Sequence, residues 1–85
     1  MGAHGNTTYI VLETIYDHWK QSRVGPTLDE IKTVVGLSSP SAVHFHIKKL
    51  EDDELVTRVS RKHRSMRLTR KGAKLVELMR EFEEY

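Results

Sequence analysis

Eighty-five residues, with 14 Lys and Arg against 12 Asp and Glu, five His and no Cys, allow one small domain and exclude a disulfide framework or a thiolate zinc site. The formal charge of +2 is too modest to name a partner by itself. No apolar run approaches bilayer length and Met1-Gly2-Ala3-His4-Gly5 lacks a signal-peptide core, so a cytoplasmic protein without membrane contact is expected.

Residues 1–6 are expected to be disordered. A first helix is predicted over 7–23, because Leu12, Ile15, Tyr16 and Trp19 share one face to which Tyr9 and Ile10 add. Val24-Gly25-Pro26 breaks the chain. Thr27 and Glu30 then have the spacing of a capping box, which opens a second helix over 27–36 with Leu28, Ile31, Val34 and Val35 as its apolar face. Gly36 is suited to the left-handed conformation that ends that helix. Ser39 is an N-cap residue, and Pro40 falls at the first helical position of a third helix over 39–53. In it Val43, Ile47 and Leu50 recur at i, i+4 and i+7 and face a core.

The opposite side of the third helix collects Ser41, Ala42, Phe45, Lys48 and Lys49, with His44 and His46 flanking the buried stripe. A small, polar helix tip can approach a flat partner closely, and its positive dipole end suits a phosphate. Helix, tight turn and helix in this order form a helix-turn-helix, whose second helix reads the major groove of duplex DNA. Phe45 is expected to meet a thymine methyl group.

After the acidic cluster Glu51-Asp52-Asp53-Glu54, the residues of 55–69 predict a two-stranded hairpin, with strands over 55–59 and 65–69. Its tip is basic. Arg61, Lys62, His63 and Arg64, flanked by Arg58 and Arg67, would lie as a wing along the phosphate backbone or the adjacent minor groove. A last helix over 70–84 carries Leu75, Val76, Leu78, Met79, Phe82 and Tyr85, more apolar surface than one stripe needs. Its charge is graded the wrong way for its dipole, with Arg70, Lys71 and Lys74 at the start and Glu77, Glu81, Glu83 and Glu84 at the end. The expected architecture is α+β and mostly α: a single winged helix-turn-helix domain with a three-helix core, a two-stranded β wing and an additional C-terminal helix.

Gly25-Pro26-Thr27, Glu30-Ile31, the run from Gly36 to Glu51 and the closing Arg64-Ser65-Met66-Arg67-Leu68 resemble the N-terminal DNA-binding domain of the LexA family of bacterial SOS repressors. The resemblance implies a sequence-specific, double-stranded-DNA-binding repressor on the nucleoid that reads bases with Ser39, Ser41, Ala42, His44 and Phe45. The helical wheel places Lys48 and Lys49 behind them. Asp53-Glu54 stands where the family has a Lys-Gly pair, and the wing tip lacks the family's Gly and Pro. The family's self-cleaving protease domain has no counterpart within these 85 residues, so autoproteolysis is not among the expectations carried over. Leu68 to Leu75 is similar to the entry into the dimerisation helix of small MarR-like and PadR-like regulators, which implies a stand-alone homodimer joined through Leu75, Leu78, Met79, Phe82 and Tyr85; the alternative is that this stripe folds back onto the first helix of its own chain and leaves a monomer.

Other chemistry is weakly supported. His44 and His46, at i and i+2, point in different directions on a helix, so no metal is expected. Glu13, Asp17 and His18 lie close on one helix without a nucleophile, and no glycine loop cradles a phosphate, so no enzyme, cofactor or small-molecule ligand is inferred. The competing reading is a winged helix used to bind another protein.

Overall fold

The computed structural model describes residues 6–58 and 64–83. Its elements in chain order are α1 (Thr7–Ser22), α2 (Leu28–Val35), α3 (Pro40–Asp52), β1 (Val56–Thr57), β2 (Arg67–Leu68) and α4 (Arg70–Glu83). The two strands pair antiparallel, with Val56 opposite Leu68 and Thr57 opposite Arg67. The architecture is a winged helix-turn-helix with a fourth helix.

Each helix start follows from local chemistry. Asn6, which the sequence reading leaves in the disordered start, accepts a 2.8 Å hydrogen bond from the Thr8 backbone and caps α1. Residues 1–5 lie outside the described residues. At α2 the capping box closes in both directions, Glu30 N–H to Thr27 Oγ1 at 3.1 Å and Thr27 N–H to Glu30 Oε1 at 2.9 Å. Ser39 Oγ accepts from Ala42 N–H at 3.3 Å, and Pro40 opens α3.

Between α2 and α3 the chain reverses at Gly36, whose φ of 82° lies in the left-handed region, while Leu37 N–H returns to the Lys32 carbonyl at 3.0 Å. The exit from α3 repeats this device without glycine. Glu54 adopts φ 62°, Glu54 N–H bonds the Glu51 carbonyl at 3.0 Å and Leu55 N–H reaches back to Leu50 at 2.9 Å. The sharp exit associated with a glycine is thus made, with Glu54 held in a conformation that costs an L-residue about 1 kcal/mol. Burial of Leu50 and Leu55 on either side of the turn holds it there.

The core joins Val11, Leu12 and Ile15 of α1, Ile31 of α2, Val43, Ile47 and Leu50 of α3, and Leu55, Val56, Met66 and Val76. Two expectations are corrected here. On α1 it is Val11 that is fully buried while Ile10 faces outward, because the helix turns its inner face through positions 8, 11, 12 and 15. On α2, Val34 is 71% exposed, since Ile31 and Val35 complete the short helix's contact with its neighbours.

The start of α4 is sewn to the end of α3. Thr69 Oγ1 donates to the Glu54 carbonyl at 2.6 Å and accepts from Gly72 N–H at 3.0 Å, and Lys71 Nζ donates to the Asp53 carbonyl at 3.1 Å. Gly72 is required by proximity: a Cβ there would stand 2.1 Å from the Leu55 carbonyl oxygen. Farther along, Val76 is buried, and Arg80 grips α1 with Nη1 2.8 Å from Asp17 Oδ1 and Nη2 3.3 Å from Glu13 Oε1. Those carboxylates raise the Arg80 pKa, Asp17 foremost through its hydrogen bonds. Tyr16 donates to Glu77 at 3.1 Å, and its phenol pKa is raised by burial and then by this carboxylate.

Candidate nucleic-acid interface

Because Val43, Ile47 and Leu50 turn inward, α3 presents the remainder of its surface outward as one continuous face. Its tip is small. Ser41 is exposed, Ala42 is half-buried, and Ser39 is half-buried with its hydroxyl oxygen engaged in the cap. Behind the tip stands Phe45, 60% exposed. The ring of His46 meets it edge-on at 5.3 Å and 78°, and Lys49 Nζ lies 5.5 Å from its centroid. His46 itself is anchored, with Nδ1 2.8 Å from the hydroxyl of the buried Thr8. An exposed aromatic ring is thereby set against a histidine tied to α1.

His44 is exposed on the neighbouring flank, where its Nδ1 lies 3.4 Å from Arg58 Nη2, and Arg58 Nε donates to Glu51 at 3.2 Å. This chain of contacts ties the residue that follows β1 to the outer edge of α3. Lys48 is exposed and pairs with Asp52 at 3.3 Å, a contact weak enough in water to exchange for another anion. The two histidines have separate partners, one on Arg58 and one on Thr8, so their rings do not converge on a common ligand position. Among the described residues no cluster of three His, Cys, Asp or Glu could hold a metal ion.

Arg64 has a partner that the sequence reading did not give it. Grouped there with the basic tip, it instead makes a two-pronged contact with Glu30, Nη1 to Oε1 at 3.1 Å and Nη2 to Oε2 at 2.9 Å, and it also donates to the Gly25 carbonyl at 3.2 Å. These contacts hold the Glu30 carboxyl at a pKa of about 2, through the Arg64 hydrogen bonds first and the Thr27 N–H second. His18 Nε2 joins the cluster 3.4 Å from Glu30. The arrangement locks the chain just before Met66 and β2 onto the start of α2, so Arg64 serves the frame of the interface. Arg67 in β2 is exposed and carries a positive charge beyond that frame. Arg61, Lys62 and His63 lie outside the described residues.

The residues expected to join two subunits divide in the structure. Leu75 packs against the core and Met79 is half-buried, whereas Leu78 and Phe82 are 48% and 76% exposed on the outer side of α4. Tyr85 lies outside the described residues.

Sequence reading missed three features. Glu51 was taken as part of a helix-ending acidic cluster, and Glu30 only as half of a cap, yet each also holds an arginine. Between α1, β2 and α4 runs an open groove of about 380 Å³ lined by Tyr16, Trp19, Leu68 and Ala73. Only the aromatic pair on α1 could have hinted at it. Among the described residues no helix is long and apolar enough to cross a membrane.

Comparison with known proteins extends the geometry. Residues 8–65 match the family described as the LexA DNA binding domain. The LexA repressor of Ligilactobacillus salivarius is 39% identical over 67 residues, covering 79% of this chain and 32% of that protein. That of Oenococcus oeni is 40% identical over 62 residues, covering 73% and 29%. The Clostridium botulinum protein is 45% identical over 49 residues, covering 58% and 24%. The chain spans about a third of the length of the relatives it matches over most of its own length. Among solved structures, S. aureus MepR bound to ethidium bromide superposes with a TM-score of 0.72 at 23% identity, covering 99% of this chain and 63% of that one. This likeness carries the fold through α4, beyond the residues matched by the family. The Gly36 turn, the Ser39 cap and the exposed face of α3 all fall within the matched segment, and the chain belongs to the LexA DNA binding domain family.

Proposed function

We propose that this chain is a sequence-specific double-stranded-DNA-binding transcriptional regulator, acting as a repressor on the bacterial nucleoid. One observation supports the reading most: α3 devotes its outer face to a small tip and to a Phe45 that is braced by His46 yet stays 60% exposed. In the bound state the tip enters the major groove. Ser39 and Ser41 meet base edges or phosphates, Ala42 permits close approach, and Phe45 covers a thymine methyl group. His44 lies beside the bases. Lys48, Lys49 and Arg67 act on phosphates by charge, with Arg58 holding the wing base against α3 and Arg61, Lys62 and His63 continuing the basic tip.

The LexA relatives bear the name repressor, and blocking access to DNA needs tight binding but no catalytic group. The reading calls for neither cofactor nor small molecule. The outer face of α4, with Leu78 and Phe82, is assigned to contact between two copies, which suits a DNA site with two-fold symmetry.

The test is amide chemical-shift mapping on addition of duplex DNA. The reading expects the largest changes from Ser39 to Lys49 and around Arg67, with α4 outside the DNA footprint. The exposed Phe45 also favours a second reading, in which this face is a hot spot for another protein. That reading gains if duplex DNA leaves the amides of α3 unmoved at physiological salt.

A further inference from the structure

The outer surface of α4 holds a charge pattern that its own fold does not explain. Arg70, Lys71 and Lys74 occupy the positive end of the helix dipole, while Glu77, Glu81 and Glu83 crowd the negative end. Toward α1, Arg80 and Glu77 of this helix make polar side-chain contacts, and Lys71 reaches the Asp53 carbonyl. Lys74, Leu78, Glu81 and Phe82 all face outward. Leu78 thus sits between Lys74 and Glu81, with Phe82 beside the acidic end of the strip.

The geometry points to a second copy of this chain packed against α4 in antiparallel orientation, with the two-fold axis passing near Leu78. This pairing rests on the assignment of α4 as a subunit contact and gives it a register. Antiparallel packing is the orientation that turns the unfavourable gradient into a favourable one, because each basic start then meets the partner's acidic end and the two dipoles oppose. At about 1.5 Å rise per residue, rotation about a point between Glu77 and Leu78 brings Glu81 level with Lys74 of the partner subunit. It also lays Phe82 over the partner's Leu75 and the stem of the partner's Lys71. Parallel packing would set lysine against lysine and glutamate against glutamate. The contact surface of one 14-residue helix is small, so the pair is weak in solution and is completed when two copies share one DNA site.

Since the 85 residues contain no cysteine, single introduced thiols report the register directly. Full-length Lys74→Cys and Glu81→Cys chains are mixed under mild oxidation, and each is also oxidised alone. Antiparallel pairing predicts a disulfide dimer in the mixture that contains one chain of each kind, with at least about tenfold less product from either chain alone, since like positions lie about 10 Å apart along the axis. Sedimentation of the uncrosslinked chains provides the second readout. Lys74→Glu and Glu81→Lys each weaken self-association by roughly tenfold, and the double variant Lys74→Glu/Glu81→Lys recovers it, because the pairs are restored with their signs exchanged. A dimer in which Lys74→Cys crosslinks chiefly to itself overturns the antiparallel register while leaving the subunit contact in place. A chain that stays monomeric at every concentration, with and without duplex DNA, overturns both.

Discussion

Helices α3 and α4 are built on the same plan and differ in what they leave outside. Each turns one stripe into the core, Val43, Ile47 and Leu50 in one case and Gly72 and Val76 in the other. Outward, α3 carries a small polar tip and one braced ring, with Lys48 and Lys49 further along. It fits a surface that is polar, rigid and grooved. The outward side of α4 carries Leu78 between Lys74 and Glu81, with Phe82 beside the acidic end, the pattern from which pairing with a second copy is proposed. What separates the two helices is therefore the pattern on the solvent side, since the core side says only that each belongs to the fold.

The strongest way to break the comparison is to detach α4. Gly72→Val drives a branched side chain into the Leu55 carbonyl, so it should cost about 3 kcal/mol and lower the unfolding midpoint in urea sharply. Because the same atoms form the exit from α3, duplex binding falls with it. Phe45→Ala makes the opposite separation. Sequence-specific affinity is expected to drop by about tenfold while non-specific affinity and the unfolding midpoint scarcely change, measured by titrating matched and scrambled duplexes. An equal loss on both duplexes would assign the ring to the backbone.

Smaller changes sharpen the role of the frame. Glu30, held near a pKa of about 2 against an ordinary 4.5, stabilises the fold at pH values above the ordinary one, and that stabilisation disappears as pH falls through the lower value. Arg64→Ala should therefore lower the melting temperature at pH 7 and make the acid decline between pH 4.5 and 2 shallower, as thermal melts across that range would record. The salt dependence of DNA binding, by contrast, is expected to stay close to that of the unaltered chain, because this guanidinium is occupied within the fold. Smallest is Glu54→Gly, which removes the left-handed strain at the end of α3 and is expected to stabilise by about 0.5–1 kcal/mol.

The features that could be read from the sequence are those whose partners are near in the chain. Thr27 and Glu30, Gly36, and Ser39 with Pro40 announce their turns within four residues, because caps satisfy orphan backbone groups locally. The apolar spacing of α3 is equally direct. Residues that meet across the fold gave no such signal. Arg64 and Glu30 are 34 positions apart, His46 and Thr8 are 38 apart and Arg80 and Asp17 are 63 apart. A basic residue in a basic run looks like part of a charged loop until the carboxylate facing it is known. The left-handed Glu54 was hidden for a different reason: its side chain does not favour that conformation, and the burial of Leu50 and Leu55 imposes it.

The most direct measurement is selection of bound fragments from random duplex DNA by the purified full chain at physiological salt, followed by sequencing. The account predicts one enriched motif arranged as an inverted repeat, with the preference inside each half altered by Phe45→Ala and its spacing unchanged. Retention of no sequence above background would contradict the claim that the outer face of α3 reads DNA.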